Sequence, residues 1–249
     1  MKYLIPLFVF GVFVSCQEKE TALSAQAVVN KAIDVACNGK CDHAIIDFTF
    51  RDRCYLSKRD GGSYQLERIL ADSSGVTHDI LTNTGFQRFK NDSLLNIADS
   101  TAIKFSNSVN SVHYFAQLPY GLNATAARKE FLGEDTINNE VYYEIGVTFN
   151  EEGGGTDFDD AFVYWIHKEK FTVDYLAYQY AVDGGGIRFR EAYNVRTVNG
   201  IRFADYNNYK PETLETELTQ LDDLFEEEKL ELLSKIETES VGVKFPGVN

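Results

Sequence analysis

Glu191 is the carboxylate in this chain best placed to do chemistry. In the alternating stretch Asp174–Asn208 it falls on the apolar phase. Pairing strands through an Asn199-Gly200 turn sets it opposite Asn208, with Ala177 on its other side and Gln179 diagonal to it. Glu191, Gln179 and Asn208 would then form a polar spot able to orient a ligand in an otherwise apolar cavity. Tyr175 and Tyr193 share that face. The plainer reading is that the sheet ends nearby and Glu191 reaches solvent or a structural arginine.

A second group lies in Asn107–Phe115, where Asn107, Asn110, Ser111, His113 and Tyr114 interleave with an apolar stripe. If this segment is a helix plugging a concave sheet, His113 and Tyr114 line a pocket mouth. His113 has no Ser or Cys nucleophile elbow beside it, so a satisfied structural histidine is the simpler expectation. A third group is Asp157, Asp159, Asp160 and Asp183, on two glycine-rich loops at one end of a strand meander. Clustered carboxylates suit hard cations such as calcium, but the spacing is not that of a twelve-residue calcium loop. No metal is assigned, and flexible turns are the bland reading. Neither loop is followed by the Lys-Ser or Lys-Thr of a phosphate cradle. Arg188 and Arg190 can stack on Tyr180 and Tyr178; sheet stabilisation is the first reading and anion binding the second.

The cysteines set the compartment. Lys2, the apolar run Tyr3–Val14 and Val14-Ser15-Cys16 resemble a bacterial lipoprotein signal, with Phe13 departing from the preferred leucine. Residues 1–15 are expected to be removed, leaving Cys16 as the lipid attachment site and 16–22 as a charged tether. The apolar run is too short to span a bilayer. An ordinary secretory signal with a coincidental cysteine is the alternative. Cys37, Cys41 and Cys54 remain. Export permits disulfides. Cys37 and Cys41 can pair across a short loop, with Cys54 left as a small buried hydrophobe; Cys41 with Cys54 is the rival. No histidine nearby gives zinc spacing.

The elements that must position these groups follow from periodicity. With 18 Phe, 14 Tyr and only 4 Pro in 249 residues, the composition favours many strands. The formal charge of −14 argues against nucleic acid as a partner. Ser24 to Ala36 repeats as a helix, with Gly39 just past its end. His43–Leu56, Ser63–Leu70, Val76–Leu81 and Gly85–Lys90 alternate as strands. From Ala98, the residues Phe105, Val109, Val112 and Leu118 follow helical spacing, and Pro119 ends that run. Asn123–Phe131 reads as a short helix and Val141–Phe149 as a strand. Phe162, Tyr164, Ile166, Val173, Tyr175, Phe189 and Tyr206 are expected on one core face, with Tyr164 opposite Val173. Glu212–Glu228 reads as a helix through Leu214, Leu218, Leu221 and Phe225, and Leu230–Val243 as ambiguous. Residues 23–249 form one expected domain.

This order is similar to the fold of the periplasmic lipoprotein carrier and its outer-membrane receptor (LolA/LolB-like). That likeness implies an α+β, mostly antiparallel architecture: a curved, incompletely closed sheet, a half-barrel, with helices plugging its concave face. Tyr164–Val173 resembles the recurrent strand–turn–strand element of that fold. Asn107–Phe115, Leu118–Leu122, Asp174–Tyr178 and Gly185–Ala192 resemble a family of Bacteroidetes lipoproteins of unknown function, which implies no catalytic residues.

The expectation is therefore an outer-membrane lipoprotein, facing periplasm or cell surface, that binds a lipid, acyl chain or lipoprotein in a concave sheet. Its membrane contact is the N-terminal anchor, and no cofactor is implied. A structural or accessory role beside an envelope protein partner ranks second. A hydrolase using Glu191 and His113 ranks third, and it requires those groups to converge in one cleft.

Overall fold

The computed structural model describes residues 23–154 and 158–247. Ser24 begins the first helix, α1 (Ala25–Cys37), its hydroxyl accepting from the Ala27 amide and so satisfying a free helix-end donor. Ala25, Val28, Val29, Ala32 and Ala36 fall on one face and are all buried. The left-handed residue that ends α1 is Asn38 (φ 49°), one position before the glycine expected there. Cys37 and Cys41 form a disulfide with Cα atoms 5.2 Å apart.

Seven strands then make the first sheet, six of them in sequence. These are β1 (Ile45–Phe50), β2 (Arg53–Asp60), β3 (Ser63–Asp72), β4 (Gly75–Thr82), β5 (Gly85–Lys90) and β6 (Ser93–Leu94). The stretch 43–56 is a hairpin rather than one strand, because Arg51 takes a left-handed φ of 56° and reverses the chain. The reversal places Tyr55 opposite Phe48 and Cys54 opposite Thr49. Tyr55 is therefore buried, and Cys54 is an exposed free thiol instead of a core residue.

Helix α2 (Asp99–Ala116) follows, with a one-turn 3-10 segment Tyr120–Asn123 after it. The helix expected over 123–131 is absent. Strand β7 (Ala127–Ile137) occupies that stretch and pairs with β8 (Glu140–Phe149). The turn between them is Asn138-Asn139, both at positive φ, which asparagine tolerates well. After the short α3 (Glu151–Gly154) come β9 (Ala161–His167), β10 (Val173–Tyr180), β11 (Gly186–Val198) and β12 (Ile201–Lys210). The C-terminal segment holds the single-turn α4 (Leu221–Glu226), β13 (Glu231–Ile236) and β14 (Thr238–Lys244). The long helix expected over 212–228 shrinks to this turn, and Leu214 is exposed.

The sheets run β14-β1-β2-β3-β4-β5-β6 and β13-β12-β11-β10-β9-β8-β7, antiparallel throughout. Consecutive strands β13 and β14 are edges of the second and first sheets, where the chain passes from one to the other. β7 and β6 are the opposite edges, and neither sheet closes into a barrel. Helices α1 and α2 lie inside this wall. They share a core with Phe48, Tyr55, Ile145, Tyr164, Leu176 and Tyr206. A separate core forms on the outer face of the second sheet, where Leu221 and Phe225 cover Trp165, Tyr175 and Phe189.

That second core corrects the expected faces. An irregularity between Val173 and Tyr175 shifts the β9–β10 register, so Val173 faces Ile166, Tyr175 faces Trp165 and Leu176 faces Tyr164. Tyr175 and Phe189 thus point outward, away from Tyr164. The Asn199-Gly200 turn does pair Val198 with Ile201. A bulge between Tyr193 and Arg196, with Asn194 at φ 47°, then slips the ladder by one residue. Glu191 faces Asn207, not Asn208, and Tyr193 faces Asp205, not Tyr206.

Candidate functional site

Helix α2 divides the interior, and its two faces meet different surroundings. Val109, Val112, His113 and Ala116 are the buried face, and His113 reaches the β3 backbone. The face carrying Ile103, Asn107, Ser111, Tyr114 and Phe115 borders a cavity of about 770 Å³ against the second sheet. Across it stand Phe162 from β9, Leu176, Tyr178 and Tyr180 from β10, and Arg190 from β11. Lys104, Asp160 and Val182 also contribute to its lining. Of this row, Asn107, Ser111 and Tyr114 belong to the polar group singled out in the sequence, and Ile103 does not.

Tyr114 is held in two ways. Its hydroxyl lies 2.8 Å from that of Tyr164. Its ring sits over Gly121, where a Cβ would come within 2.8 Å of two ring carbons. The glycine of Leu118-Pro-Tyr-Gly-Leu122 therefore makes room for a cavity wall. Burial pushes the Tyr114 phenol up to about 12 and raises Tyr164 well above the usual phenol range, so both stay protonated.

Arg190 is one of the two cations that border this cavity among the described residues, the other being Lys104. Its Nη2 donates to Tyr178 Oη at 2.7 Å and its Nε to Asn208 Oδ1 at 3.4 Å. Its guanidinium carbon lies 5.3 Å from the Phe115 ring centre and 4.8 Å from that of Tyr178. Arg188 behaves alike one strand position away, donating to Tyr180 Oη at 2.8 Å. The stacking expected for both arginines is present.

A smaller cavity, about 230 Å³, opens on the other side of α2. Its wall is a cross-strand row, Arg68, Asp79 and Arg88, each facing the next. Arg68 donates to Asp79 Oδ2 through Nε and Nη2 at 2.9 and 2.7 Å, and to Ser108 Oγ through Nη1 at 2.7 Å. Arg88 donates to Asp79 Oδ1 at 2.6 Å and lies 3.3 Å over the Phe105 ring.

The sequence-derived candidates are scattered. Of the seven ligand-lining residues expected, Tyr114 borders the large cavity and Asn208 touches it through Arg190. His113 is on the opposite side of α2, edge-on to Phe48 and Tyr55. Its Nε2–H donates to the Glu67 carbonyl at 3.0 Å, and burial pushes its pKa down to about 4, which leaves it neutral. Glu191 and Tyr175 face outward. Glu191 accepts from Asn207 Nδ2 at 3.0 Å and from Tyr209 Oη at 3.2 Å. Gln179 is exposed opposite Ile187, four residues along the strand from the partner of Glu191. Tyr193 donates to Glu237 Oε1 at 2.7 Å. The expected polar spot is thus dismantled by the bulge that turned Asn208 to the inner face.

Asp160 borders the large cavity and Asp159 is exposed. Asp157, Cys16 and the segments 1–15 and 16–22 lie outside the described residues, as does the Asp183 side chain. Among the described residues no three His, Cys, Asp or Glu side chains are grouped to hold a metal ion, and no helix is long and apolar enough to cross a membrane.

The crystal structure of a DUF1329 family protein from Desulfovibrio piger is similar, with a TM-score of 0.54 at 12% identity over 91% of this chain and 95% of that one. That likeness is one of fold. A LolA superfamily protein from Nitrosomonas europaea gives 0.48 at 12% identity, covering 90% and 92% of the two chains. A putative outer membrane lipoprotein-sorting protein domain from Vibrio parahaemolyticus gives 0.42 at 9%, covering 89% and 95%. No curated protein matches the sequence. The model of a family of unknown function, DUF6503, matches residues 2–238, and the chain belongs to that family.

Proposed function

We propose that this protein is an envelope lipoprotein that holds the apolar portion of a lipid or acylated ligand between α2 and the second sheet. The observation that carries the reading is the cavity itself. At about 770 Å³ it has the size of a small-molecule site, and Ile103, Phe115, Leu118, Phe162 and Leu176 make it largely apolar. An apolar volume of that size is either wetted at a cost or filled by an apolar ligand. The anchor reading rests on the sequence alone: the apolar run Tyr3–Val14 followed by Cys16. With Cys16 acylated the chain sits at a membrane surface, where such ligands are supplied, and the outer membrane is the placement we infer.

Native mass spectrometry of freshly purified protein, followed by lipid extraction, tests the reading. A co-purifying acyl compound that is lost in Ser111→Trp, which fills the cavity from an exposed helix position, supports it. A clean apo mass, with no uptake of a fluorescent fatty-acid analogue on titration, overturns it.

A second reading is an accessory lipoprotein docked on an envelope partner. Exposed Phe131 and Leu132 on the edge strand β7, with Val141 on the neighbouring β8, favour it. The hydrolase reading has no site to rest on: Glu191 is on the outer face of the second sheet, while His113 is hydrogen-bonded to β3.

A further inference from the structure

Arg190 is a fixed positive charge inside a mostly apolar cavity, and every protein group that solvates it is neutral. Tyr178 Oη and Asn208 Oδ1 accept from Nη2 and Nε, and the guanidinium carbon lies over the Phe115 and Tyr178 rings. Among the described residues no carboxylate forms an ion pair with it, and its Nη1 donates to no protein acceptor. Three other interior arginines are paired with carboxylates, whereas Arg59 and Arg188 donate only to neutral oxygens. Arg68 and Arg88 share Asp79, and Arg202 pairs with Asp174 at 3.3 Å.

The contrast matters because a guanidinium cannot shed its proton to escape a poor environment. Aromatic faces and neutral oxygens orient the ion without cancelling its charge. In a cavity closed over by a ligand, an uncompensated charge is costly and an oxyanion beside it is strongly favoured. Among the described residues the remaining charges bordering the cavity are Lys104 and Asp160, so the described lining is net positive in a chain whose formal charge is −14. Nη1 and the second hydrogen of Nη2 are the donors left over.

We propose that the occupant is an anionic amphiphile whose carboxylate or phosphate oxygens are held by Arg190 while its chain lies along Phe162, Leu176 and Phe115. This deepens the ligand-binding reading above and rests on it. Neutral lipids of the same chain length are the compounds the site discriminates against. The tyrosine–asparagine clamp is a positioning device: it holds the guanidinium against the sheet so that one edge is presented to the cavity.

The test uses the full chain carrying Cys16→Ser, stripped of lipid, with Nile red as a neutral reporter in the cavity. Palmitate, palmitoyl lysophosphatidate and hexadecanol are compared as displacers in the wild-type cavity and in Arg190→Met. The expected result is that at least one acid displaces the dye about tenfold more tightly than the alcohol, and that the preference disappears in Arg190→Met while hexadecanol binding survives. Which acid wins separates a carboxylate from a phosphate ligand. Equal affinity of alcohol and both acids in the wild-type cavity overturns the inference, whatever the variant does, and leaves the cavity reading standing. A preference for acids that persists unchanged in Arg190→Met also overturns it. No displacement by any of the three overturns both.

Discussion

The hydroxyls of Tyr114 on α2 and Tyr164 on β9 lie 2.8 Å apart and tie the cavity helix to the sheet it faces. Removing one hydroxyl leaves the other without its partner at a position Tyr164 shares with the fully buried core. Tyr114→Phe or Tyr164→Phe is expected to cost about 1–2 kcal/mol in urea unfolding. The double variant should cost less than the sum of the two, because the second hydroxyl then leaves no orphan behind. Additive losses would show that the pair does not interact.

Gly121 keeps the cavity wall in place by having no side chain. In Gly121→Ala the new methyl must displace the Tyr114 ring. Overpacking of this kind costs about 1–3 kcal/mol. Combining Gly121→Ala with Tyr114→Leu should recover part of that loss, which thermal unfolding of the four proteins would reveal.

Asp79 neutralises two arginines at once, each through two hydrogen bonds. Asp79→Ala strands both cations under α2, and a destabilisation of about 3–5 kcal/mol is expected. The triple variant Arg68→Met, Asp79→Leu, Arg88→Met, which removes all the charges together, should be far less damaged. If the single variant unfolds at the wild-type urea midpoint, the network contributes nothing to stability.

Asp222 on α4 is buried, and its Oδ1 has no donor in the protein. Burial, then Asp135 of β7 beside it, pushes its carboxyl up to about 7; Glu144 of β8, near the same Asp135, is pushed up to about 6 by burial first. An acid whose folded pKa exceeds its unfolded value, about 3.9, holds a proton that the unfolded chain has released, so its contribution falls as pH rises from about 4 to 7. His113 acts oppositely: its depressed folded pKa withdraws stability as pH falls from about 6.5 to 4. The difference between wild type and Asp222→Asn therefore isolates the acid. The variant should gain stability relative to wild type with rising pH, on the order of 2 kcal/mol at pH 8. A flat difference curve would place the Asp222 proton elsewhere.

Cys54 is exposed, whereas Cys37 and Cys41 are joined. Peptide mapping after iodoacetamide treatment of native protein should find Cys54 alkylated, and Cys37 and Cys41 only after reduction. Modification of Cys37 without reductant would contradict the bridge.

Periodicity read well wherever one strand or helix answers to one surface. Val28, Val29 and Ala32, or Tyr143, Ile145 and Val147, have a single partner face, and their spacing declares it. The second sheet is packed on both sides, so its strands carry apolar residues in both phases and alternation alone could not assign them. The faces were then decided by two local irregularities, at Val173–Tyr175 and at Asn194, which no composition signal announces. Arg51 reversed β1 into β2 without the glycine or Asn-Gly pair that marks most tight turns. The cavity was hidden for a related reason: its wall is assembled from α2 and β9–β11, and each contributes a few residues of mixed polarity.

The chain's last strand is the neighbour of its first. Ile45 of β1 faces Lys244 of β14, and Phe50 faces Thr238. That ladder closes a loop of roughly two hundred residues, a search that local hairpins do not have to make. Until residue 244 has emerged during synthesis, β1 is paired only with β2 and its other edge is open to any strand it meets. The second sheet can zip from its own hairpins meanwhile. Biogenesis of this protein is thus a problem of timing: the N-terminal half must be kept from foreign pairing until the C-terminus arrives to cover it. A lesion in β14 is consequently felt first at β1, on the far side of that loop.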